Sequence, residues 1–250
     1  EKVAGSADKA VELMNSRAKM LGMNGTVYTD CTGMGEGNVT TAKDTALLCS
    51  ELAKYKNLTP YLTCWLDTVR DGKAELVNLN RLVRTYKGVT GMKAWGSEKA
   101  GSCIAATAEK GDMSVCVVLN GCDSQEDMNA EAKKLLNLAF DTYEIYTPEL
   151  PEDMVKETVV CGGEELSVKL APEGLYPIVI PRGTYRMVEC DFTAEEKLDA
   201  PVKNGETAGE IRYTMGGEVI LEGKIVACKE VKKMNFICGI KKLVYNLLSM

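Results

Sequence analysis

The 250-residue sequence contains no histidine. That absence removes serine–histidine–aspartate and cysteine–histidine catalysis, because each needs an imidazole as its base. Any nucleophile must instead borrow a lysine, a carboxylate or a tyrosine. Zinc sites are not expected either, since no two of the ten cysteines form a C-x-x-C pair and histidine is missing. No metal or other cofactor is expected. The chain also lacks any run of 18 or more apolar residues, so nothing is expected to span a bilayer as a helix. It lacks a basic excess: net charge is −6 and no basic stripe occurs, so no nucleic-acid partner is expected. Glu1 opens in the middle of a pattern with neither Met nor a leader, which reads as a mature product or a fragment.

What is present is apolar material, 45% of residues, enough for one large or two ordinary domains. The ten cysteines fall mostly inside apolar runs such as MSVCVVLNG and read as small buried hydrophobes. Residues 6–22 predict an amphipathic helix capped by Ser6, with Ala10, Val11, Met14, Ala18 and Leu21 on one face and Gly22 as its stop. A second helix is expected over 41–55, with Thr41 and Asp44 at capping-box spacing. Asp71-Gly72 between two apolar stretches signals a β-hairpin. Strands are expected over 88–95, 101–108 and 113–120. A long helix should follow over 124–143, with Met128, Ala132, Leu135, Leu136 and Ala139 inward.

Two prolines and three carboxylates in TPELPED suit a linker over 147–153. From 154 to about 230 the pattern is short alternating runs broken by Gly and Pro, with a turn at Gly216-Gly217, which predicts a small antiparallel sandwich. Residues 235–250 place Phe236, Ile240, Leu243, Val244, Leu247 and Leu248 on one helical face and Lys241, Lys242 and Asn246 elsewhere. Such a helix suits a membrane interface; docking on its own domain or on a partner is the alternative.

Several short motifs carry little. GMGEG (33–37) has no strand leading in and no helix starting at once, so it reads as a loop. GMKAWGS (91–97) lacks the G-K-[ST] end of a nucleotide loop. SADK (6–9) and SRAK (16–19) match S-x-x-K, the spacing that sets an amine one turn from a nucleophilic hydroxyl. A pattern with two fixed positions arises by chance in a lysine-rich chain. Both copies also sit on a surface-type helix, where a lysine keeps its proton. Lys93, on an expected strand before a Gly/Ser/Lys-rich turn, is the lysine placed for chemistry.

Taken together, VAGSADKAVELMNSRAKMLGM, CTGMG…NVTTAKDTALL, GVTGMK…KAGSCIAATAEKGDMSVCVVLNG, DMNAEAKKLLNLAFDTY and IPRGTYRMVECDF…LDAPVKNGETAGEIRY…EGKIVACKEV stand in an order that resembles one family. It is the penicillin-binding-protein type of serine D-alanyl-D-alanine carboxypeptidase, and the resemblance covers nearly all 250 residues. It implies an α+β fold: an incomplete serine-penicillin-recognising α/β domain of antiparallel sheet and flanking helices (1–146), a linker (147–153), a small all-β sandwich (154–232) and an amphipathic anchor helix (233–250). It implies trimming of peptidoglycan stem peptides on the outer face of the bacterial cytoplasmic membrane. The membrane surface would be met through 235–250. In such enzymes a serine attacks the penultimate D-Ala carbonyl, D-Ala leaves, and water clears the acyl-enzyme.

The family's motifs are S-x-x-K, S-x-N and K-T-G. By the resemblance this chain starts just past S-x-N and keeps only an altered third motif. Lys93 stands at its lysine, Ala94 at its threonine, Trp95 at its glycine, and Gly96 follows. Alanine cannot donate to a substrate carboxylate, and tryptophan is expected to crowd the strand where glycine admits a substrate backbone. Met128 aligns with a carboxylate-holding Arg of the family, and Arg81 with a basic residue flanking the cleft. The chain is therefore expected to be catalytically inert. The alternative is a non-catalytic envelope protein that binds peptidoglycan or a protein. Without the upstream part, the face carrying Val115, Val117 and Leu119 is expected to lack its cover, each residue worth roughly 1.5–3 kcal/mol when buried. The missing cover would come from the chain's own N-terminal segment or from another chain.

Overall fold

Ser6 begins the first helix by capping it: its backbone is extended (φ −153°, ψ 163°) and its Oγ accepts from the Lys9 N–H at 3.2 Å. Helix α1 (Ala7–Met20) then carries Asp8 in its first turn and Arg17 and Lys19 in its last, each complementing the helix dipole. Ala18 is buried, and Ala10, Val11, Met14 and Leu21 are half-buried on the same face. This computed structural model describes residues 2–33, 35–152, 154–236 and 240. The chain divides into two compact units, Glu1–Thr142 and Tyr143–Met250.

In the first unit, helix α2 (Ala42–Leu52) is capped by Thr41, whose Oγ1 accepts from the Asp44 N–H at 3.1 Å. The capping box is not closed. The Asp44 carboxylate instead accepts from the Gly25 N–H at 2.8 Å and the Thr26 hydroxyl at 2.7 Å, fastening the preceding loop to the helix. A short α3 (Thr59–Leu62) precedes the hairpin β1 (Leu66–Val69) and β2 (Ala74–Val77). Its loop has Arg70, Asp71 and Gly72 all at positive φ, and the last paired residues are Val69 and Ala74. After α4 (Leu82–Thr85) come β3 (Val89–Ser97), β4 (Gly101–Lys110) and β5 (Met113–Cys122), an antiparallel sheet in chain order. Helix α5 (Gln125–Thr142) closes the unit.

The two faces of this sheet have different covers. Ala105, Cys116 and Val118 pack in one cluster with Cys49 and Leu52 of α2 and with Ala53, which caps its end. By the two-residue alternation of strands, Ile104, Ala106, Ala108 and Val117 point the other way, where α5 packs on β4 and β5. That helix buries Met128, Ala132, Leu136 and Phe140. Phe140 thus takes the inward place expected of Leu135, which is exposed. The expectation of a bare face is corrected at Val115, Val117 and Leu119: they pair with Ala108, Ala106 and Ile104 and so lie on the α5 side.

The second unit begins four residues before the boundary expected from sequence, because β6 (Tyr143–Tyr146) pairs with a later strand. It continues with β7 (Glu157–Cys161), β8 (Ser167–Glu173), β9 (Ile178–Pro181), β10 (Val188–Ala194), β11 (Lys197–Asp199), β12 (Thr207–Met215) and β13 (Glu218–Ala227). Strand β6 pairs with β9, and the other six form a sheet in the order β10-β12-β13-β8-β7-β11. All pairs are antiparallel except β11 with β7. Gly216 and Gly217, at φ 60° and 85°, make the two-residue turn between Met215 and Glu218. The alternation of Ile211 and Tyr213 inward with Glu210 and Arg212 outward feeds a core with Val168, Val202, Leu221, Ile225 and Val231.

The cysteines correct another expectation. Among the described residues only Cys49 and Cys103 are buried, while Cys31, Cys64, Cys161 and Cys228 are exposed. The exposed ones sit in loops or at a strand's end, where alternation no longer turns them inward. The expected helix over 235–250 lies outside the described residues apart from positions 235, 236 and 240. Among the described residues no helix is long and apolar enough to cross a membrane.

Candidate functional site

Lys93, Ala94, Trp95 and Gly96 follow one another on β3, which among the described residues pairs only with β4 and so forms a sheet edge. Lys93 is opposite Ala105 and Trp95 opposite Cys103, which sets both on the face toward α2. The Lys93 side chain is exposed. Trp95 is half-buried against the cluster of Cys49, Met92 and Ala105. Ala94 is opposite Ile104 and only 4% exposed, so it is a core residue of the α5 side. At Gly96 an added Cβ would lie 2.9 Å from the Gly101 carbonyl oxygen, so the strand there has no room for a side chain. An exposed ammonium beside open backbone N–H and C=O groups can receive an extended peptide ending in a carboxylate.

Two asparagines hold the start of this strand. Asn80, fully buried, donates through Nδ2 to the Gly91 carbonyl at 3.3 Å and accepts from the Leu82 N–H at 3.1 Å. Asn78 accepts from the Asn80 N–H at 3.0 Å and donates to the carbonyls of Leu62 and Cys64. Neither stood out in the sequence, though N-L-N before a short helix is the spacing of paired Asx turns.

A built loop flanks the strand's far end, joined to it by the Lys99–Glu36 ion pair. Asp30 organises that loop. Its carboxylate accepts from the Thr32 hydroxyl, from the N–H groups of Thr32 and Gly33 at 2.7 Å and of Gly35 at 3.1 Å, and from the Asn38 amide. Led by the Thr32 hydroxyl bond, these donors hold the Asp30 carboxyl down to about 2. Asp44 is likewise held below the ordinary carboxylate range, first by the Thr26 hydroxyl. Gly33 and Gly35 of GMGEG therefore serve the Asp30 carboxylate.

Arg81 lies apart from the Lys93 group: it precedes α4 and pairs with Glu126 of α5 at 2.9 Å, an exposed pair of little energetic weight. Met128 is 1% exposed and belongs to the core beneath the sheet. The two S-x-x-K matches are surface helix features. The Ser6 hydroxyl is spent on its cap, and Lys9, Ser16 and Lys19 are exposed.

Comparison with known proteins agrees with this architecture. A family profile described as D-alanyl-D-alanine carboxypeptidase matches residues 1–123, and one described as penicillin-binding protein 5, C-terminal domain, matches 140–233. The fold is that of the crystal structure of penicillin binding protein 5 from Haemophilus influenzae, with TM-score 0.78 at 24% identity over 93% of this chain and 69% of that one. The two profiles, matching one unit and then the other in order, place the chain in the penicillin-binding class. Within that class, the chain belongs to the D-alanyl-D-alanine carboxypeptidase family. It is 31% identical over 247 residues to the D-alanyl-D-alanine carboxypeptidase DacF of Bacillus subtilis (strain 168), covering 97% of this chain and 64% of that protein. It is 30% identical over 237 residues to the D-alanyl-D-alanine carboxypeptidase DacC of Escherichia coli (strain K12), covering 94% and 59%. The chain thus spans about three-fifths of the length of these relatives.

Proposed function

We propose that this chain supplies the substrate-facing strand and the C-terminal β unit of a D-Ala-D-Ala carboxypeptidase. The enzyme would act on peptidoglycan stem peptides outside the cytoplasm, and residues 235–250 would contact the membrane surface. The observation that carries this reading is Lys93, an exposed cation on an edge strand, in a chain matched to the family along both of its units. In the reaction a serine oxygen bonds to the penultimate D-Ala carbonyl carbon, the peptide C–N bond breaks, and D-Ala leaves with a proton. A lysine at 93 holds the terminal carboxylate or the developing charge. It does not replace the nucleophile or the oxyanion donors.

On this reading the 250 residues alone do not acylate, and a segment bearing S-x-x-K and S-x-N completes the first unit. A fluorescent penicillin incubated with the chain tests it. No covalent label is expected, and a serine adduct found by mass spectrometry would overturn it. Ala94 and Trp95 favour a second reading, a non-catalytic peptidoglycan- or protein-binding paralogue, since a core alanine and a packed indole replace a hydroxyl and a bare backbone. Retention of the chain on immobilised muropeptides supports that reading, and its loss in Lys93→Met localises the contact.

A further inference from the structure

Cys49 of α2 and Cys116 of β5 stand 67 positions apart (116 − 49), yet both pack into one cluster with Met92, Ala105, Trp95 and Val118. We propose that this pair is an oxidation site: a hydroperoxide converts it into a disulfide that fastens α2 to the sheet behind the Lys93 strand. The two thiols sit across the interface at which α2 packs on β5, inside one apolar cluster. Cys49 is 4% exposed and Cys116 half-buried, so a small oxidant fits the site better than a protein disulfide does. The neighbouring Cys116 lowers the Cys49 thiol from its ordinary value, while Cys49 and then burial raise Cys116. Cys49 is therefore the sulfur expected to attack first, with Cys116 as the resolving thiol.

The chemistry balances in two steps. The Cys49 thiolate attacks one peroxide oxygen, the O–O bond breaks, and an S–O bond forms. Hydroxide leaves and takes up the proton that Cys49 had shed. Cys116 sulfur then displaces the oxygen of the Cys49 sulfenic acid, an S–S bond forms, and a second water departs with the Cys116 proton. Two thiols are oxidised by two electrons and one hydroperoxide is reduced. The bond would tie α2 down five residues after Asp44, the side chain that fastens Gly25 and Thr26.

Mass spectrometry on the full reduced chain tests the proposal. After limiting hydrogen peroxide, remaining thiols are capped with N-ethylmaleimide and the chain is digested without reductant. The expected result is joint loss of capping at Cys49 and Cys116, with one peptide pair linking them and lighter by two hydrogens. Cys116→Ser should leave Cys49 as a sulfenic acid that reacts with dimedone. In Cys49→Ser, Cys116 should stay reduced at the same dose. The proposal is overturned if Cys103 and Cys122, or the exposed Cys31, Cys64, Cys161 and Cys228, are consumed while Cys49 and Cys116 remain fully capped. That mapping uses the unsubstituted protein, so it decides the matter even if a variant fails to fold.

Discussion

Leu136→Ala probes whether α5 is what keeps the three-stranded sheet folded. Leu136 is fully buried, between Ala132 and Phe140 on the inward stripe of that helix. Deleting three carbons forfeits about 2.4 kcal/mol at roughly 0.8 kcal/mol each. The cavity adds to this, and buried Leu→Ala changes cost about 3–5 kcal/mol in all. The upper half of that range is expected here. The facing strand offers Ala106 and Ala108, side chains too short to swing into the void. With a urea m-value of about 1.5–2 kcal/mol/M, the midpoint should fall by roughly 2–3 M. Both tryptophans, Trp65 and Trp95, lie in Glu1–Thr142, so fluorescence reads this unit alone while circular dichroism reads both. A control in the other unit is Tyr213→Phe, which strips the Glu149 carbonyl of its 2.9 Å donor and should cost about 1–3 kcal/mol there. It should leave the tryptophan transition in place. If Leu136→Ala moves that transition by less than about 1 kcal/mol, far below the cavity cost expected of a tight core, α5 is not the cover inferred here.

Three further outcomes are expected. Because Asp30 titrates near 2 in the folded loop, against the usual carboxylate value of about 3.9, its stabilisation is complete above pH 4 and lost as pH falls toward 2. Amide exchange at Thr32, Gly33 and Gly35 should therefore accelerate across that window, and Asp30→Asn should flatten the response. Restoring the family motif with Ala94→Thr and Trp95→Gly should still give no penicillin label on this chain. Removal of the half-buried indole should cost the first unit about 1.5–3 kcal/mol, less than a fully buried Trp would, as read by the urea midpoint from circular dichroism. Peroxide oxidation that joins Cys49 to Cys116 should raise that unit's stability by up to about 4 kcal/mol, the loop-entropy value for a closure of about 67 residues. An unchanged midpoint in the mapped disulfide form would mean that native strain cancels the gain.

Features decided within a few residues were readable from sequence. Ser6 and Thr41 cap the helices they were expected to cap, Gly216-Gly217 turns the hairpin, and Lys93 lies on a strand. What escaped depends on distant partners. Asp44 had the spacing for a local box, but Gly25 and Thr26 offered two donors at once and took its carboxylate. Leu135 and Phe140 differ little in apolarity, and only the position of the sheet decided which turned inward. The parallel pairing of β11 with β7, and β6 leaving for β9, are encounters between segments tens of residues apart. Of the candidate site, the strand residues were legible from their order. Asn80 was not, because its role rests on a carbonyl eleven residues away.

Strand β3 leaves one long side without a neighbour among the described residues. Along the free side of this nine-residue strand alternate residues present unpaired backbone groups, the Gly91 carbonyl excepted, and such an edge invites a second molecule to add itself as a further strand, which is how soluble proteins begin to form fibres. The Lys93 ammonium sits near the middle of that edge, and burying it under a stacked copy would be costly. The same charge that would greet a carboxylate also keeps sister molecules apart, so Lys93→Met should make the protein more prone to self-association.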